Sequence, residues 1–233
     1  MALKKSAAKA ASKKKSDIGL ELKKLNLLTP AQSAAYDLYG QGRHLFMDGA
    51  SGTGKTYLGI YMALEDYFNY RTSNIKIIRS TVPSRNMGFM PGNLEEKLSV
   101  YEIPYAQNVN KIFGRDDAWG ICKQKGIVEL VSTSYLRGLT FDNSTILFDE
   151  IQNCTIDEIA TVITRAGKGS RVQLLGDYYQ DDLKDNRQVS GFRDIVKIVD
   201  FMPSFARVIF GIDDIVRDGV VAEFIRARHK LGI

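Results

Sequence analysis

Residues 49 to 56 read Gly-Ala-Ser-Gly-Thr-Gly-Lys-Thr, the pattern G-x-x-x-x-G-K-[ST], set after an apolar run and before a helical one. Glycines at this spacing let successive backbone N–H groups curl around phosphate oxygens, and the positive end of the following helix adds its field. Gly49, Ala50, Ser51, Gly52, Thr53, Gly54, Lys55 and Thr56 are therefore candidate nucleotide contacts. In such a loop the Lys55 ammonium reaches the β- and γ-phosphates, and the Thr56 hydroxyl joins the shell of a Mg²⁺ ion. A glycine-rich turn without a ligand is the plain alternative, and the flanking strand and helix weigh against it.

A second constellation is Ile146-Leu147-Phe148-Asp149-Glu150, an apolar run ending in two acids, the first 94 residues after Lys55. Asp149 is suited to the Mg²⁺ shell, and Glu150 to orienting and deprotonating an attacking water. Acids at strand ends are common, so the signal gains its force from the phosphate loop in the same expected sheet. The adjacent glutamate favours hydrolysis over transfer to a small-molecule acceptor. Third, Leu174-Leu175-Gly176-Asp177 leads into Tyr178-Tyr179-Gln180, where Gln180 stands where a polar group can contact a γ-phosphate. Finally, Gln32 in Thr29-Pro30-Ala31-Gln32 offers one donor and one acceptor to an adenine edge, which would select ATP over GTP.

Elements must hold these residues. Short apolar runs at 44–48, 74–80, 126–132, 144–150, 170–177 and 206–210 suit strands buried on both faces. Helical patterns lie between them. Thr29 caps one, with Pro30 in its first turn. Thr155 and Glu158 form a capping box before another, with Ile156, Ile159, Ala160 and Ile163 on one face. A third pattern, at 189–201, sets Val189, Phe192, Val196 and Val199 together. Alternating strands and helices predict an α/β fold, a parallel sheet with helices on both faces in a single domain. Thr81 to Gly114, with three Pro and several Gly, reads as a long irregular insertion.

The 233 residues, 44% hydrophobic and 25% charged, suit one soluble domain. The formal charge of +5 is unevenly spread, since residues 1–16 hold six Lys and no acid, leaving 26 bases against 27 acids in the rest. Residues 1–24 are thus expected to be a basic disordered tail and 25–233 the folded domain. No run is long enough to span a membrane and no apolar segment marks a secretory signal, so a cytoplasmic setting is expected. Two cysteines, Cys122 and Cys154, give no disulfide framework or zinc site. His44 and His229 show no catalytic partner.

Together TPAQ, GASGTGKT, GFMPGNLEEKL, SYLRGLTF, ILFDEIQN, ITRAGKGSRV, LLGDYYQDDL and QVSGFRDI resemble the PhoH family of P-loop ATPases over roughly residues 25–231. Gly88-Phe89-Met90-Pro91-Gly92 and Asp149-Glu150-Ile151-Gln152-Asn153 make the likeness specific. It implies a RecA-like core similar to the first domain of superfamily 1 helicases, with ATP hydrolysis coupled to RNA or single-stranded DNA. It also supports the roles given to Gln32, Lys55, Thr56, Asp149, Glu150 and Gln180. Fewer than thirty residues precede TPAQ, so the PIN ribonuclease domain of some members is not expected. Arg79-Ser80-Thr81-Val82-Pro83 is looser than the usual family stretch, and the compact chain is similar to phage-encoded members, which would act in the host cytoplasm.

Helicase motors of this class take an arginine from a second domain, for which this length leaves no room. Without one, hydrolysis would lack ~10³ to 10⁵ in rate, so a neighbouring copy is expected to supply it in a head-to-tail ring. The resemblance points to a hexamer. Arg165 is the first candidate finger, with Arg217 and Arg137 behind it; a surface cation is the plain alternative for each. For nucleic acid the candidates are Arg79, Ser80, Tyr135 and Arg137, where an aromatic beside cations suits unpaired bases. Phe89 is a stacking platform or a loop anchor, and Trp119 a core residue. The expected function is Mg²⁺-dependent ATP hydrolysis acting on RNA or single-stranded DNA. An ATP-switched assembly module and a small-molecule kinase are the alternatives.

Overall fold

The computed structural model describes residues 18–80, 94–177 and 191–231. Six strands form one parallel sheet: β1 (His44–Gly49), β2 (Asn74–Arg79), β3 (Val128–Ser132), β4 (Ser144–Asp149), β5 (Arg171–Gly176) and β6 (Phe205–Phe210). Their order is β3-β2-β4-β5-β1-β6. Each expected strand is present within two residues of its expected bounds, and the α/β parallel-sheet architecture is observed.

The apolar runs show why. Successive side chains of a strand point to opposite faces, and here both faces are covered. Leu45, Met47, Ile75, Ile77, Leu147 and Leu175 enter one core. Phe46, Ile78, Ile146, Phe148, Val172 and Leu174 enter the other. Over the first face lie α1 (Pro30–Gly40), α2 (Lys55–Phe68), α3 (Leu94–Phe113) and α4 (Ala118–Gln124). Over the second lie α5 (Ile156–Ile163) and α6 (Phe192–Asp200). A last helix, α7 (Gly219–Leu231), follows β6.

The expected caps are in place. The Thr29 side chain accepts the Gln32 N–H, and Thr155 and Glu158 form their reciprocal box. Phe192 and Val199 of α6 are buried, with Ile195 as the third contact; Val189 lies outside the described residues. At the end of the sheet away from the phosphate loop, buried Asp66 pairs with Arg171 at 2.8 Å and Arg71 at 3.1 Å, which satisfies a carboxylate that would be costly alone. His44 Nδ1 accepts the Val172 N–H at 3.1 Å, and burial followed by Arg171 holds its pKa below the usual histidine value. His44 is a neutral structural residue.

Two expectations are corrected. The stretch 81–114 is not irregular throughout, because α3 occupies its second half. Tyr105, Val109, Ile112 and Phe113 recur at helical spacing and are buried. Pro104 is tolerated because it lies on the exposed face and the carbonyl it leaves unpaired, that of exposed Val100, can meet water. The packed body also begins upstream of Leu25, since Ile18 and Leu20 are buried and the Lys23 N–H donates to Ile112 O at 3.0 Å. Trp119 is a core residue, its indole N–H reaching Glu102 at 3.3 Å.

Candidate functional site

In an all-parallel sheet the strands end on one side, and ligands bind beyond those ends. Here β4, β5 and β1 are neighbours, which sets Asp149, Gly176 and Gly49 side by side. A cavity of about 630 Å³ opens there, within the usual range for small-molecule sites. Ser51 to Thr56, Asp149, Glu150, Asp177 and Gln32 all line it. Gly49 and Ala50 do not. They form the base of the loop, with the Ala50 N–H on Phe210 O at 3.1 Å.

Lys55 opens α2 directly after Gly54, whose φ of +84° turns the loop into the helix. Its ammonium is folded onto the loop's own carbonyls, 2.6 Å from Gly49 O and 2.7 Å from Ala50 O. Burial pushes its pKa below the ordinary lysine range, against the pull of Asp177, Asp149, Glu150 and Asp48. A triphosphate would offer this charge far better partners than two neutral carbonyls.

The Thr56 hydroxyl lies 3.2 Å from Asp149 Oδ2. Burial first, and Glu150 second, raise the Asp149 carboxyl to about 6, against Arg79, Tyr105 and Thr56. A buried carboxylate so placed gains from a cation. One hydroxyl and one carboxylate, with the remaining positions left to phosphate and water, fit Mg²⁺, which keeps few protein ligands. Among the described residues no cluster of three or more His, Cys, Asp or Glu forms a metal site, so a cation would rest on this pair and its substrate.

Glu150 has φ +57°, a left-handed backbone that costs a non-glycine residue about 1 to 3 kcal/mol. Its N–H donates to Asp149 Oδ1 at 3.1 Å, and its carboxylate accepts from Gln152 Nε2. Gln152 is buried, and its Oε1 accepts the Asp177 N–H at 3.0 Å. One amide therefore ties the acid after β4 to the end of β5. In the sequence Gln152 stands out only as part of the run from Asp149 to Asn153, because its role depends on two strands meeting.

Tyr105 is a second residue that sequence reasoning missed. From α3 its hydroxyl donates to Asp149 Oδ2 at 3.2 Å. Tyr105→Phe keeps the packing and removes a bond to a charged group of about 1.5 to 3 kcal/mol. The Mg²⁺ concentration for half-maximal turnover is expected to rise, and the thermal unfolding midpoint to fall by about 2 to 4 °C for each kcal/mol lost. A magnesium titration of turnover checks this.

The remaining sequence candidates fall in several places. Gln32 is buried beside the loop, its Nε2 donating to Thr53 O at 3.0 Å and its Oε1 accepting the Leu28 N–H at 2.8 Å. One N–H and one lone pair of the amide remain for a base. Arg79 faces Asp149 and Glu150. Burial opposes its charge, but Tyr105, Glu150 and Asp149 together hold its pKa above the usual arginine value, and Tyr101 lies beneath it at 5.0 Å. Ser80 is buried beside Cys154, which removes it from any surface that meets a strand. Tyr135 and Arg137 are exposed beyond β3. Arg165 braces the loop before β4, donating to Leu139 O at 3.2 Å and Thr164 Oγ1 at 3.3 Å. Arg217 lines the cavity of its own chain. Gln180 and Phe89 lie outside the described residues.

A family model described as PhoH-like protein matches residues 24–229. The chain is 31% identical over 187 residues to a PhoH-like protein of Bacillus subtilis (strain 168), covering 80% of this chain and 58% of that one. It is 32% identical over 197 residues to a PhoH-like protein of Mycobacterium leprae (strain TN), covering 81% and 55%. It thus spans little more than half the length of these relatives. Among solved structures, the large terminase of a thermophilic bacteriophage matches with a TM-score of 0.53 at 11% identity, over 87% of this chain and 49% of that one. This likeness is one of fold.

Proposed function

The chain belongs to the PhoH-like protein family, and on that premise we propose that it is a Mg²⁺-dependent ATPase acting with RNA or single-stranded DNA. The observation that carries the proposal is the convergence of Lys55, Thr56, Asp149 and Glu150 on one cavity at the strand ends. Lys55 leaves the loop carbonyls for the β- and γ-phosphates, and the loop N–H groups surround the phosphate oxygens. Thr56 and Asp149 hold Mg²⁺, which when bound neutralises phosphate charge. Glu150, held by Gln152, takes a proton from water as its oxygen bonds to the γ-phosphorus. The bond from that phosphorus to the bridging oxygen breaks, and its electron pair leaves on the β-phosphate of ADP. Gln32 reads the adenine edge with its spare donor and acceptor. Gln180, three residues beyond Asp177, is assigned to the γ-phosphate from its place in the sequence.

Nucleic acid is assigned to the exposed end of β3, where Tyr135 offers a ring for stacking and Arg137 a cation. Arg79 is left out of that surface because its neighbours are Tyr105, Asp149 and Glu150. A cytoplasmic setting is part of the proposal; no described helix is long and apolar enough to cross a membrane. A hexameric head-to-tail ring follows only if a neighbour's arginine completes the site. Arg165, already bound to Leu139 and Thr164, would have to leave those partners to serve.

The test is phosphate release from ATP by the full chain, with and without single-stranded RNA or DNA homopolymers. Turnover is expected to rise with the polymer, and Tyr135→Ala to weaken that rise by about 1 to 3 kcal/mol of stacking per base. Turnover indifferent to either polymer would contradict the coupling and favour a nucleotide-switched assembly module.

A further inference from the structure

We propose that Arg217 is the phosphate-contacting arginine of its own chain's nucleotide site, acting in cis. The inference rests on the ATPase reading above. After β6 and a short turn at 212–214, the chain crosses back over the phosphate loop. The Val216 N–H donates to Gly52 O at 3.0 Å. A Cβ placed on Gly52 would stand 3.0 Å from Arg217 Cγ and 3.1 Å from Ile225 Cδ1. The Arg217 stem and α7 therefore rest on the loop itself, and Gly52, at φ +77°, is where a side chain would push them off. Arg217 lines the cavity that also holds Lys55, Thr56, Asp149 and Glu150.

Its guanidinium is uncommitted. Among the described residues it makes no hydrogen bond or ion pair, whereas Arg165 is fixed to Leu139 and Thr164 and Arg79 is enclosed by Tyr105 and the two acids. A permanently charged planar fork, anchored by its stem at the rim of a phosphate loop and free at its head, suits phosphate oxygens. As the water oxygen bonds to the γ-phosphorus and the electron pair of the breaking bond passes to ADP, Arg217 neutralises the charge that develops. Arginines serving this step from the same chain are an established solution in P-loop enzymes. The missing charge then needs no neighbour.

The test uses the full chain and steady-state phosphate release from MgATP. Arg217→Gln keeps the stem over Gly52 and removes the charge; kcat is expected to fall ~10³-fold, with binding of a slowly hydrolysed ATP analogue and the unfolding midpoint retained. Arg217→Lys is expected to recover part of the loss. In a mixture of Arg217→Gln with Lys55→Ala chains, no activity is expected to return, because no chain then holds both groups. Recovery in the mixture would place the arginine in trans and overturn the inference, as would a wild-type rate in Arg217→Gln. A wild-type chain that releases no phosphate would instead overturn the ATPase reading on which the inference stands.

Discussion

Glu150→Gln is expected to bind MgATP and to turn it over ~10² to 10⁴ times more slowly, the usual contribution of a positioned general base. The side chains are nearly equal in volume, and the left-handed backbone at this position is no harder for Gln than for Glu. The oxygen that accepts from Gln152 survives as an amide oxygen, so the link to the Asp177 N–H is retained. What is lost is the ability to take a proton from water. Phosphate release measured beside the affinity for a fluorescent ATP analogue separates the two steps. Turnover at the wild-type rate would remove Glu150 from the mechanism.

Lys55→Ala is expected to lower turnover by at least ~10² to 10³, the scale of one lost charge-stabilising donor, and to weaken nucleotide affinity as well. Lys55 differs from Glu150 in binding the ground state too, since its ammonium meets phosphates before any bond breaks. In the structure it is held by Gly49 O and Ala50 O with its pKa depressed by burial, so its removal costs the empty chain little. Thermal unfolding with and without MgATP checks this. The nucleotide-free midpoints of variant and wild type should agree, while the rise on adding MgATP should shrink in the variant.

What was legible in the sequence is whatever is encoded by neighbours along the chain. Phosphate-loop spacing, caps at Thr29 and Thr155, and apolar runs flanked by turns are local signals, and the six strands follow from them. Helix α3 was hidden because Pro104 and the prolines and glycines upstream obscured the recurrence of Tyr105, Val109 and Ile112. The contacts of Tyr105 with Asp149, Gln152 with Asp177 and Val216 with Gly52 join residues 44, 25 and 164 positions apart. No local pattern announces them. Ser80 and Arg79 show the converse error. Polar residues at a strand end suggested an outer surface, yet the parallel register brings Arg79 opposite Asp149 and turns Ser80 toward Cys154.

The charge of +5 illustrates the same division. It marks the lysine-rich first sixteen residues and says nothing about the cavity, where Lys24, Lys55, Lys111 and Arg217 face Asp149, Glu150 and Asp177. The chemistry of the site is thus decided by a few charges brought together by topology.

The most direct measurement is the product balance of the full chain given ATP and Mg²⁺, with Glu150→Gln run beside it. One inorganic phosphate is expected for each ADP, dependent on Mg²⁺ and nearly absent from the variant. ADP formed without free phosphate, or equal release by both proteins, would contradict this.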